Sequence, residues 1–318
     1  MEYTPYVGNG PYCFTNSFAM VLGAKAPSTA VIEFATSSAF GMQVINLPKD
    51  PLVFFDPYGW DPLQCFNAAL HAMGWRCTEI IGKDEQDALR SLKAGLQNGP
   101  VFVGPMEMGL LKHQPNAQGA IGADHYVVVL SVDNDMVEMH DPHGHPFATL
   151  PVREFLAAWK TDSLGYGKSY TMRTDFRQVE ELSEEEVIRR SIPSALKHIS
   201  TTSGGDMPPG STANEAATKW LIKKIEVGLP PGMRPSLAYF AIQVGARRSI
   251  DAATCLRRVG YTGAAAVMGE IARTIGSLQY PLTHKHDEAA VLILHKLGPL
   301  YEKFKVALGE EVSRNETR

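Results

Sequence analysis

The run from Asp124 to Asp141 (DHYVVVLSVDNDMVEMHD) constrains this chain more than any other. Tyr126–Val132 and Met136–His140 are apolar, β-branched runs either side of Asp133-Asn134-Asp135, a short polar turn. That pattern predicts two antiparallel strands joined by the turn. Such a hairpin brings its outer ends together. His125, at the start of the first strand, then faces Asp141, which ends the second just before a Pro that stops the ladder. A histidine at the edge of a core strand is rigidly placed, as a general base must be. A carboxylate reaching its far ring nitrogen would fix the tautomer and stabilise imidazolium.

Cys13 supplies a nucleophile to match. Cys13–Gly23 (CFTNSFAMVLG) reads as a helix ended by glycine. A thiol at a helix N-terminus feels the positive end of the dipole, which favours thiolate. The preceding Gly8-Asn9-Gly10-Pro11-Tyr12 loop allows close backbone approach to a carbonyl, and the Cys13 N–H is a candidate oxyanion donor. The order Cys, His, Asp is what a papain-like thiolate site requires. Each residue also has a plain structural alternative: a buried cysteine, a satisfied strand-edge histidine and a turn-initiating Asp-Pro.

At 318 residues the chain has room for roughly two domains. Residues 1–177 mix β and α signals, and 178–318 read as helical. Ser183 followed by three glutamates marks a helix start at the boundary. Helices are expected near 184–199, 213–227, 236–247, 249–259, 262–278 and 284–308. In the first half Asp61–Met73, Asp84–Asn98 and Pro151–Trp159 read as helices. Arg76–Ile81, Gly99–Gly104 and a β-like run at Lys168–Arg173 read as strands.

A net charge of −4 without like-charge blocks gives no case for nucleic acid. No apolar run reaches the roughly 18–20 residues a bilayer needs, so no membrane partner is expected. The N-terminus lacks the features of a signal peptide. Cys13, Cys65, Cys77 and Cys255 form no CxxC pair. A reducing, cytoplasmic setting with free thiols follows.

The stretch Gly99–Trp159 resembles papain-like peptidases that process bacteriocin leaders. The matching features are Gly-Pro-Val-Phe-Val, His125 with Tyr-Val-Val-Val, the turn, Asp141-Pro142, and Phe155 with Trp159 on a helix. The chain as a whole resembles the butirosin-type aminoglycoside acyltransferase family. There, Cys13, Val31–Ile45 and the His125 strand fit the first part, and Gly245-Ala246-Arg247-Arg248 with the following helices fits the second. The resemblance implies an α+β fold: a papain-like, bacteriocin-peptidase-like N-terminal domain followed by an all-α domain. It implies a cysteine acyltransferase with Cys13, His125 and Asp141 as its triad. Papain-like enzymes usually carry a Gln six residues before the cysteine, where Val7 stands here. The second oxyanion donor then falls to Asn9 or, more remotely, Asn16.

The remaining clusters have bland readings. His140, His143 and His145 beside Asp141 have metal-ligand chemistry but share one short loop, so no metal is expected, and no cofactor motif is present. The Phe54–Trp60 loop could line a cleft or simply pack. Arg247, Arg248, Arg257 and Arg258 could meet an anionic carrier or pair with nearby acids.

Three functions remain in play. In the leading one, an acyl thioester, such as one borne by an acyl carrier protein, acylates Cys13 and a small amine accepts the group. In the second, water resolves the acyl-enzyme of a peptidase or amidase. In the third, the chain is a non-catalytic papain-like binding scaffold. A homo-oligomer is compatible with all three.

Overall fold

The computed structural model describes residues 11–47, 51–133 and 135–316. The first elements are α1 (Cys13–Leu22), α2 (Thr29–Ala35), β1 (Gln43–Ile45), β2 (Leu52–Phe54), α3 (Pro62–Ala72), β3 (Trp75–Ile81) and α4 (Glu85–Gly95). Next come β4 (Val101–Glu107), β5 (Asp124–Asp133), β6 (Met136–Asp141), β7 (His145–Pro151), α5 (Val152–Trp159) and β8 (Thr171–Gln178). The chain ends with α6 (Glu184–Ser200), β9 (Thr212–Ala213), α7 (Asn214–Val227), α8 (Met233–Ser236), α9 (Ile242–Arg258), α10 (Thr262–Ser277), α11 (Gln279–Thr283) and α12 (Asp287–Glu316). The class is α+β. Among the described residues no single helix is long and apolar enough to cross a membrane.

Local chemistry sets several boundaries as expected. Asp61 caps α3 by accepting from Leu63 N at 2.8 Å, with Pro62 in the first turn. Ser183 and Glu186 cap α6 reciprocally.

One compact unit comprises Pro11–Thr29 and Gly74–Glu181. Its sheet is antiparallel, in the order β3-β8-β4-β5-β6-β7. Alternation along β4 and β5 sends side chains to two cores. Val101, Val103, Val127 and Val129 join Leu92 of α4 and Phe155 and Trp159 of α5. Phe102 and Tyr126 instead meet α1: Phe18 stacks on Phe102 at 4.5 Å, and Phe14 meets Tyr126 edge-on at 6.3 Å. Ser17 Oγ also donates to Tyr126 O at 3.2 Å. The predicted hairpin is present, with Asp133 paired to Met136; Asn134 lies outside the described residues. β7 was not expected. It runs through Pro151, read from sequence as a helical residue, and that proline caps α5 instead.

The other unit joins Ala30–Met73 to the chain from Leu182 onward. This replaces the linear division at residue 177. The cause is long-range burial: Phe40 packs edge-on against Phe34 and stacks on Phe304 at 5.9 Å. Met42 N donates to Asn214 Oδ1 at 3.2 Å, while Asn214 N donates to Met42 O. Nor is the C-terminal part all-α, because β9 pairs with β1 and β1 with β2 in a small sheet. The two helices expected at 236–247 and 249–259 form one run through a π-helical turn at Leu237–Ala241. Gln243 and Gln279 side chains donate to Ala238 O within that turn, at 3.2 and 2.8 Å.

Gly245, inside α9, has a packing reason to be glycine. A Cβ there would lie 2.4 Å from Phe55 Cβ. In an open helix Gly→Ala gains about 1 kcal/mol. Here Gly245→Ala should instead destabilise by about 1–3 kcal/mol through overpacking, read as a lowered urea midpoint.

Candidate active site

The β5–β6 register places His140 opposite Val128, so Asp141 comes level with the start of β5. His125 Nε2 donates to Asp141 Oδ1 at 2.6 Å, with side chains 4% and 0% exposed. Cys13, the half-buried first residue of α1, hydrogen-bonds to the His125 ring. Because Nε2 is committed to Asp141, Nδ1 is the nitrogen that serves the sulfur. The packing of α1 on β5 sets this approach. The three residues singled out in the sequence are therefore brought together.

Burial by itself would lower the pKa of His125. Its hydrogen bonds to the Asp141 carboxylate and the Cys13 sulfur outweigh that, raising it to about 10. Burial likewise pushes Asp141 up, but bonds from His113, His125 and His143 N win and hold it well below the usual carboxylate range. The site is built to carry imidazolium beside carboxylate.

Two residues of the site were missed in the sequence. His113 Nε2 and Gln114 Nε2 each donate to Asp141 Oδ2 at 2.7 Å. With His143 N on Oδ1 at 2.7 Å, four donors converge on one carboxylate. The loop carrying His113 and Gln114 is tied at both ends by Glu107, a fully buried acid at the end of β4. Its carboxylate accepts from the N–H groups of Gly109, Ile121 and Gly122 at 2.9–3.0 Å and from the Ser163 hydroxyl. Desolvation opposes ionisation of Glu107, yet those donors keep its pKa below the ordinary value. An acid closing an otherwise apolar strand was the available signal. Nearby, the Tyr166 hydroxyl donates to Asp124 Oδ2 at 2.5 Å and lies 3.0 Å from Tyr126 Oη, bracing the start of β5.

Other candidates have structural places. His140 Nδ1 accepts from Phe147 N at 3.1 Å, and the rings of His143 and His145 lie edge-on to His125 and His113. Among the described residues no group of three or more His, Cys, Asp or Glu side chains is arranged to hold a metal ion. Burial pushes the thiols of Cys65, Cys77 and Cys255 up to about 12, 11 and 12. Cys65 lies 3.9 Å from His198 Nε2, but burial lowers that histidine's pKa, so this pair resists ionisation.

The aromatic loop packs rather than opening outward: Phe55 and Tyr58 are buried, and the Trp60 indole donates to Thr36 O at 2.9 Å. Arg247, Arg248 and Arg258 pair with Asp251, Glu33 and Glu184–Glu185. Val7 and Asn9 lie outside the described residues. Asn16 donates its backbone N–H to Tyr12 O within α1.

Residues 208–309 match the family model of the YobF C-terminal domain. A relative from Bacillus subtilis (strain 168), "Uncharacterized protein YobF", is 27% identical over 307 residues, covering 95% of this chain and 97% of the relative. These similarities carry a family resemblance and no stated activity.

Proposed function

We propose that the chain is a cysteine-dependent acyltransferase with a papain-like catalytic unit, working in a reducing, cytoplasmic setting. The observation that supports this best is the Cys13–His125–Asp141 series, with the imidazole pKa raised between sulfur and carboxylate. The resemblance to butirosin-type acyltransferases supports transfer as the outcome.

In this reading the Cys13 thiolate attacks the carbonyl carbon of an acyl thioester. A new C–S bond forms, and the N–H of Cys13 is one donor to the developing oxyanion. The donor's C–S bond then breaks, and its thiolate takes the proton from His125 Nδ1. An amine next attacks the acyl-enzyme while the now neutral His125 accepts the amine proton. The C–N bond forms, the Cys13–acyl bond breaks, and thiolate and imidazolium are restored. Asp141 stays ionised throughout and keeps Nδ1 aimed at sulfur.

The test uses intact-protein mass spectrometry with short-chain N-acetylcysteamine thioesters as carrier mimics. Wild type should gain one acyl mass, and Cys13→Ala none. Adding a primary amine should discharge the adduct to amide. An adduct or full turnover on Cys13→Ala would end the proposal, and discharge to the free acid alone would assign the protein to the amidases.

A further inference from the structure

We infer that His113, with Gln114, is a positioning residue for the triad, holding the Asp141 carboxylate so that Oδ1 faces His125. This rests on the reading under Proposed function and extends it to a side chain outside the Cys–His–Asp set.

His113 Nε2 donates to Asp141 Oδ2 at 2.7 Å, and its side chain is 7% exposed. A carboxylate is planar, so fixing Oδ2 fixes the direction in which Oδ1 presents itself. Gln114 Nε2 shares Oδ2, and His143 N shares Oδ1. His113 Nδ1 is buried and has no hydrogen-bond partner among the described residues. Such an unmet polar atom costs about 1–3 kcal/mol. A histidine kept only for packing would not need to carry that cost, whereas one kept for its Nε2–H bond does. Among the described residues, the titratable groups near it include Asp141, the His145 ring at 5.4 Å, and the ion pair of its neighbour Lys112 with Glu154.

Two effects of losing His113 have opposite signs, and this makes the inference testable. Removing a donor concentrates charge on Asp141, which would strengthen its pull on His125. Freeing the carboxylate to turn would misdirect that pull. A positioning role requires the second effect to win.

The experiment is iodoacetamide labelling of Cys13 in the full chain at pH 6 and pH 8, with adduct location by peptide mass spectrometry. In His113→Ala the pH 6 rate should fall about tenfold, the order expected when an orienting charge-assisted bond is lost. His113→Gln, which keeps a donor near the Nε2 position, should recover most of the rate. His113→Asn, which is shorter, should not.

An unchanged or faster rate in His113→Ala overturns the inference. If wild type itself labels at pH 6 no faster than a small free thiol, the thiolate reading under Proposed function falls as well. Wild-type protein with ¹⁵N-labelled histidine gives a check that needs no variant. His113 must carry its hydrogen on Nε2, and the Nδ1–H tautomer would overturn the inference even if the alanine variant failed to fold.

Discussion

Asp141→Ala is expected to slow acyl-enzyme formation severely and to cost about 4 kcal/mol of stability or more. Four donors point at this side chain: the Nε2 atoms of His113, Gln114 and His125, and the backbone N–H of His143. The carboxylate is wholly buried. Each buried donor left unmet costs about 1–3 kcal/mol, partly recovered where water enters the vacated space. Loss of the orienting carboxylate should lower the rate by roughly 10³–10⁴-fold, the order known for catalytic triads.

The stability gap between wild type and Asp141→Ala should also depend on pH. Asp141 has a lowered folded-state pKa, so its contribution is complete above the unfolded value of about 3.9 and fades as pH falls below it. His125 has a raised one, so its contribution is complete below about 6.5 and fades as pH rises through about 10. Urea melts should therefore show the widest gap between about pH 4 and 6.5, and a gap that does not change with pH would contradict this assignment.

The second large effect is expected in the unit built from Ala30–Met73 and the C-terminal helices. Arg248 Nε donates to Glu33 Oε1 at 2.6 Å, and Asp56 Oδ2 lies 3.7 Å from Nη1. The Glu33 side chain is 1% exposed and that of Arg248 7%. The Ser38 hydroxyl also donates to Glu33, and Gln43 Nε2 donates to Asp56 Oδ1. Arg248→Ala removes the cation and leaves the buried Glu33 carboxyl without its ion-pair partner, a change that costs about 3–5 kcal/mol. A combined Glu33→Gln, Arg248→Met variant removes both charges together. It should be less destabilised than Arg248→Ala alone, and equal or greater loss would show that the pair contributes through shape rather than charge.

The site was legible where its determinants are local. The polar Asp-Asn-Asp run in the sequence predicts the hairpin, and the pairing of β5 with β6 sets His125 against Asp141. A helix starting at Cys13 could be read from its apolar spacing and terminal glycine. His113 and Gln114 could not, because the loop that brings them to Asp141 is closed by long-range bonds, among them the Glu107 staple to backbone N–H groups on both arms. The same holds for the division of the chain. Ala30–Met73 has ordinary helix and strand signals, and nothing local in Phe40 announces Phe304 as its partner. β7 was hidden because its exposed positions outnumber its buried ones, leaving little apolar alternation to detect.

The partnership of Phe40 with Phe304 bears on biosynthesis. At about 5–20 residues per second, the roughly 260 residues between them take on the order of 15–50 s to leave the ribosome. Throughout that interval Val31, Ile32, Phe34 and Phe40, all fully enclosed in the finished protein, lack their final cover. The nascent chain is thus a client for chaperones well into translation, and a fragment ending near residue 177 would retain that sticky surface permanently.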